Sequence, residues 1–142
     1  MSNSYDDVMA RRSDIMRQAL ALDYDSFQHG DLVFDYDALM SSTGYRLDDV
    51  ARIQAETKVG HTPLYELHRL TEAVREIAGP GKGARILLKD EAANASGSFK
   101  ARRASLSAHE AQVKGFAGMV TATSGNYGAA VASQAAQRGL AC

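Results

Sequence analysis

Apolar positions between Tyr5 and Leu20 (Val8, Ile15, Met16, Ala19 and Leu20) recur at loosely helical spacing, with Arg11, Arg12 and Arg17 between them. That spacing predicts an amphipathic helix. From Asp23 to Tyr45 the chain alternates acids with aromatics: Asp23, Asp25, Asp31, Asp35 and Asp37 with Tyr24, Phe27, Phe34 and Tyr36. Irregular chain with one short helix is expected there, the aspartates forming a solvated face. Leu47 to Thr57 reads as a second helix, with Asp48 or Asp49 near its start, and Thr62-Pro63 breaks it. Leu64, Leu67, Leu70, Val74 and Ile77 return to helical spacing, and Gly79-Pro80-Gly81-Lys82-Gly83 is turn chemistry.

The pattern then changes. Arg85 to Lys89, with Ile86, Leu87 and Leu88 consecutive, predicts a buried strand. A polar loop from Glu91 to Gly97 leads to a helix over Phe99 to Lys114, closed by Gly115. Ala117 to Ala122 is a second strand candidate, Thr123-Ser124-Gly125 a turn, and Asn126 to Gln137 an Ala-rich buried helix, with Gly139 suited to the left-handed position just past it. Leu140 to Cys142 opens another apolar run. Strand, helix, strand, helix and a third strand beginning is the order of βαβ units in an α/β fold with a parallel sheet. Two complete strands make a marginal sheet, so the expectation is the N-terminal portion of a larger α/β protein.

Composition narrows the class. With 16 Lys plus Arg against 17 Asp plus Glu, the net charge of −1 removes the electrostatic case for binding nucleic acid or a membrane surface. No run approaches the roughly 18 apolar residues of a membrane span. The opening Met-Ser-Asn-Ser-Tyr-Asp-Asp lacks the basic and apolar regions of a secretory signal. The single cysteine, Cys142, cannot form an internal disulfide or a zinc cluster, which fits a reducing cytoplasm. His29, His61, His68 and His109 have no metal-ligand spacing. Asn94-Ala95-Ser96 matches a glycosylation sequon, here accidental, and Gly83 stands where a phosphate loop needs Ser or Thr.

Two loops carry chemistry, each following a predicted strand, where open α/β sheets place their ligands. In Asn94-Ala95-Ser96-Gly97-Ser98-Phe99-Lys100, the lysine falls in the first turn of a helix, where a cation opposes the helix dipole. A lysine whose ammonium form is disfavoured suits imine chemistry, since only the neutral amine is nucleophilic; the plainer alternative is a solvated surface lysine. In Thr123-Ser124-Gly125-Asn126-Tyr127-Gly128, hydroxyl, amide and backbone N–H donors at a helix start form an anion site. The plainer alternative is a helix cap on Ser124 or Asn126, and the two roles are compatible.

Taken together these loops resemble the fold-type II pyridoxal-phosphate (PLP) enzymes, the tryptophan synthase β and threonine synthase superfamily. Val59-Gly60-His61-Thr62-Pro63-Leu64 resembles its G-x-T-P-L; Lys89-Asp90-Glu91 through Lys100 resembles K-x-E-x-x-N-P-T-G-S-F-K; Thr123 to Gly128 with Ala129 and Ala132 resembles S-S-G-N-x-G-x-A. The resemblance implies residues 1–58 as an N-terminal helical extension and 59–142 as the start of the catalytic domain. It implies that Lys100 carries the cofactor and moves the substrate's α-proton, with Ser98 and Phe99 orienting it. Asn126 would hydrogen-bond the PLP ring hydroxyl, and Thr123, Ser124, Gly125 and Tyr127 would hold the substrate carboxylate.

Ala95-Ser96 replaces the usual Pro-Thr, and Ala101 a common Asp. The family's phosphate-binding loop and pyridine-nitrogen partner lie beyond the region matched, so residues 1–142 alone are expected to bind PLP poorly and to be inactive. Within the superfamily the Lys100 segment and N-terminal half are most similar to a coenzyme A-dependent thiolase branch. That implies cleavage of 2-amino-4-oxopentanoate to acetyl-CoA and alanine in ornithine fermentation, with a small α subunit and homo-oligomerisation. A threonine synthase or a serine/threonine dehydratase is the alternative, and a non-catalytic binding module a further one.

Overall fold

The computed structural model describes residues 4–30 and 32–142, with only the backbone of Leu20. Met1 to Asn3 of the signal-peptide reading, and Asp31 of the acidic stretch, lie outside the described residues. The chain divides into two compact units, residues 1–46 and 47–142.

In the first unit the single helix expected over Tyr5–Leu20 is two: α1 (Tyr5–Ala10) and α2 (Arg12–Leu20), separated at Arg11. Ser4 caps α1 by accepting the Asp7 N–H, and six residues suffice for only its first turns. A 3₁₀ turn (Tyr24–Phe27) then leads into a hairpin of β1 (Gln28–His29) and β2 (Val33–Phe34), followed by α3 (Tyr36–Ser42). Phe34 sits at the centre, its ring 4.6 Å from Tyr24 and 4.9 Å from Tyr36. The aspartates are more than a solvated face: Asp23 pairs with Arg17 at 3.2 Å, and Asp35 caps α3 through the Ala38 N–H at 2.8 Å.

The second unit opens with α4 (Leu47–Glu56), carrying Asp48 and Asp49 in its first turn. The helix expected from Leu64 begins instead with a strand, β3 (Leu64–Glu66), and becomes helical only at α5 (His68–Ala78). β3 pairs antiparallel with β4 (Leu87–Lys89), Tyr65 opposite Leu88. The Asp90 N–H to Pro63 carbonyl and Leu67 N–H to Ile86 carbonyl bonds extend the ladder, so backbone pairing decides the state of the ambiguous Leu64–Leu67 spacing. β4 is not the buried strand its apolar run predicts; Leu87 and Leu88 are each 48% exposed, with one neighbouring strand among the described residues. At 117–122 a single parallel bridge, Gly118 to Ala141, replaces the expected strand.

Helices α6 (Lys100–Val113) and α7 (Asn126–Gln137) form the core. Ala101, Ala104, Ser105, Ala108 and Ala111 of α6 are buried, as are Ala130, Val131, Gln134 and Ala135 of α7. Small side chains let two backbones approach closely and fill the seam at crystal-like density. The Arg103 guanidinium lies over the Tyr127 ring at 4.9 Å, linking the two first turns. Gln112 bonds Arg138 at the other end, Nε2 donating to the carbonyl at 3.3 Å. The helices therefore run parallel. Arg138 also donates to the Ile53 carbonyl and Glu56, tying both to α4. Gly139 takes φ 69° beyond α7, the left-handed position expected of it. Among the described residues no helix is long and apolar enough to cross a membrane.

Because Ala104 is fully buried in this seam, Ala104→Leu should overpack it. The expected cost is about 1–3 kcal/mol, read from the urea midpoint; an unchanged midpoint would show the seam to be loose.

Candidate active site

The parallel pairing of α6 and α7 brings their N-terminal turns to one end, and with them both loops that the sequence marks out. Neither first turn contains an acid, so two positive dipole ends stand side by side with Lys100 and Arg103, an arrangement that favours an anionic ligand.

Lys100 opens α6 and is half-buried. Its Nζ lies 4.2 Å from the centroid of the Phe99 ring, and its backbone N–H donates to Ser98 Oγ at 3.3 Å. Both flanking residues therefore touch the lysine. Ser96 Oγ, in the same loop, is buried with no hydrogen-bond partner.

In the second loop the cap is not where expected. Gly125 is the N-cap residue of α7, and the hydroxyl that serves the helix is that of Thr123. It accepts the N–H groups of Gly125 at 3.1 Å and Gly128 at 3.0 Å, and donates to the Gly125 carbonyl at 3.2 Å. Ser124 and Asn126, both exposed, take no part, leaving a hydroxyl and an amide open to a ligand at the start of α7. Thr123 presses so closely on the helix that a Cβ added at Gly128 would stand 2.1 Å from its Cγ2. Tyr127 is half-buried against the α6–α7 core.

A cluster that no single motif revealed lies behind Lys100. Arg102 grips Glu91 with both edges, Nε to Oε2 and Nη2 to Oε1, each at 2.7 Å. Thr62 Oγ1 donates to Glu91 Oε1 at 2.7 Å, and Asn94 Nδ2 to Oε2 at 3.0 Å. Asn94 Oδ1 accepts the Gly60 N–H at 3.0 Å. Gln54 of α4 completes the set, its Oε1 accepting from Arg102 Nη1 and its Nε2 donating to the Arg102 carbonyl, both at 3.3 Å. Lys89 Nζ donates to the Thr62 carbonyl. The Arg102 hydrogen bond, helped by Thr62 and Asn94 and opposed by burial, pushes the Glu91 carboxyl down to about 2. The K-x-E-x-x-N wording held the signal for Glu91 and Asn94; nothing local pointed to Arg102 or Gln54.

An open groove of about 740 Å³ lies elsewhere, between Glu72, Arg75 and Glu76 of α5 and the Gly79–Gly83 turn. Its mixed charges converge on no ligand chemistry. Among the described residues no His, Cys, Asp and Glu cluster could hold a metal ion.

Residues 55–142 match the family model of the pyridoxal-phosphate dependent enzymes, and the chain belongs to that family. It is 55% identical over 139 residues to a 2-amino-4-ketopentanoate thiolase beta subunit from Acetoanaerobium sticklandii, covering 98% of this chain and 30% of that protein. It is 57% identical over 139 residues to a protein of the same name from an unknown prokaryotic organism, covering 98% of this chain and 29% of that one. The chain thus spans less than a third of the length of these relatives. No solved structure matches it. The residues present suit the family's cofactor: an amine at a helix start, an orphaned buried hydroxyl at Ser96 in the preceding loop, and open donors at the neighbouring helix end.

Two outcomes follow. Gly128→Ala should lower the thermal midpoint, and adding Thr123→Ser, which removes the clashing Cγ2, should restore much of the loss; a Gly128→Ala variant as stable as the parent would contradict the close approach. Glu91 has a depressed folded-state pKa, so its stabilisation is complete above its ordinary value near 4.5 and is lost as pH falls toward about 2. Denaturant titrations across that window should show a loss of order 2 kcal/mol, after allowance for solvent screening, that Glu91→Gln no longer shows.

Proposed function

We propose that this chain belongs to a PLP-dependent enzyme that cleaves 2-amino-4-oxopentanoate with coenzyme A, giving acetyl-CoA and alanine. The observation that carries the reading is 55–57% identity, over nearly the whole chain and so across both loops, to proteins named as beta subunits of that thiolase. In the net reaction the C3–C4 bond breaks, the coenzyme A sulfur bonds to C4, and C3 takes up a proton to become the alanine methyl group.

PLP, when bound, supplies the electron sink that makes carbanion character next to the amino-bearing carbon accessible. Lys100 would hold the cofactor through its side-chain amine and would accept and return the substrate's α-proton. Asn126, exposed at the start of α7, would hydrogen-bond the cofactor's ring hydroxyl. Ser124, Gly125 and Tyr127 receive the substrate carboxylate at the positive end of α7, while Thr123 shapes the loop from within. We assign residues 1–58 to an N-terminal extension and 59–142 to the start of the catalytic domain, whose family match begins at residue 55. In that domain the parallel Gly118–Ala141 bridge supports an open parallel sheet flanked by helices. A small α subunit, homo-oligomerisation and coenzyme A as acyl acceptor complete the reading, the first supported by the relatives' designation as beta subunits.

The test uses the full-length protein with its second subunit. With PLP the parent should show a visible absorption band and release acetyl-CoA from 2-amino-4-oxopentanoate and coenzyme A, and Lys100→Ala should lose both. An unchanged band and full turnover in Lys100→Ala would remove the lysine from this role; a band without acetyl-CoA release would remove the thiolase reaction.

A further inference from the structure

The first turn of α6 is poorly made by local criteria. Its N-cap, Phe99, is already helical and has no side-chain acceptor for a cap, Ser98 Oγ taking only the Lys100 N–H; the turn has no acid; and it carries cations at Lys100, Arg102 and Arg103. Each feature weakens a helix start, where Asp or Glu and a capping oxygen are favoured. A turn so composed frays unless tertiary contacts hold it. Ser98 Oγ takes the Lys100 N–H and Arg103 lies over Tyr127, but the ion pair and the tie to α4 meet at Arg102. Its guanidinium is clamped by both oxygens of Glu91, and its carbonyl is held by Gln54 of α4.

Glu91 is eleven residues before Arg102, so the pair closes a loop, and Lys100 lies inside it. Asn94 stiffens that loop, bonding the Glu91 carboxylate and carbonyl on one side and the Gly60 N–H on the other. Closing a loop removes conformational freedom from every residue within it. Resting on the reading that Lys100 carries PLP, we propose that the Glu91–Arg102 pair is the positioning device for Lys100, an ionic latch that fixes the helix turn bearing the reactive amine. The bidentate geometry is essential to this role, because a single-point contact would leave the turn free to pivot.

The experiment measures the rate of PLP attachment to Lys100 in the full-length protein, trapped with borohydride and located by peptide mass spectrometry. Circular dichroism melts report folding separately. Glu91→Gln and Arg102→Gln should each lower that rate by about tenfold, equivalent to about 1.4 kcal/mol, in proteins that stay folded, and the double variant should be no slower than either single one, because each alone already opens the latch. Arg102→Lys keeps the charge and loses the fork; it should also be slow, and it serves if a Gln variant does not fold. Folded variants with the parent's rate would overturn the latch, as would a double variant slowed by the product of the two single effects. Failure of the underlying reading looks different: the parent itself would show no adduct at Lys100, or Lys100→Ala would label equally.

Discussion

Two charged side chains, Glu91 and Arg102, hold together the segments on which the Lys100 turn rests. One follows the end of β4; the other lies in the first turn of α6, and the segments around Gly60–Thr62 and Gln54 close on them from the side. A partly buried ion pair is stabilising only when its remaining hydrogen-bonding capacity is met. Here it is met, for Thr62 and Asn94 bond the carboxylate and Gln54 the guanidinium. The pair therefore converts four separate stretches of sequence into one rigid support, and truncating either partner leaves the other charge stranded.

The two units contrast in what stabilises them. Residues 47–142 enclose fully buried side chains at Ile53, Val59, Val131 and the alanines of α6 and α7. In residues 4–46 no described side chain is buried. It is held by the aromatic cluster around Phe34, the β1–β2 pairing, two helix caps, surface ion pairs and side-chain hydrogen bonds such as that from Arg12 to Gln28. Surface ion pairs contribute little individually, and a segment of this size lacks the core that smaller domains need. Its cohesion is local, each element held mainly by its neighbours in sequence.

What the sequence disclosed follows the same division between near and far. Helix α7 is legible to the residue because glycines punctuate both ends and alanines fill it. The Lys100 turn and the Thr123–Gly128 loop are legible because their chemistry is contiguous. β3 was hidden, since Leu64 and Leu67 fit a helical period and only pairing with β4 makes Leu64–Glu66 extended. β4 itself reads as buried because three consecutive apolar residues imply cover on both faces. The cap on α7 was misplaced by proximity; Thr123 reaches over from five residues before Gly128. The Arg102 cluster was the least legible feature, because the partners of Arg102 lie 11 to 48 residues away and share no periodicity with it.

The seam between α6 and α7 carries one further consequence. Helices that meet through alanines are spaced by the thickness of their backbones rather than by side-chain rotamers, which leaves almost nothing to adjust. The gap between the Lys100 turn and the Asn126 turn is therefore a fixed gauge, and a molecule engaging both must bring its own reach to match. New ligand preferences would have to arise by rewriting the two loops, with the alanine seam left untouched.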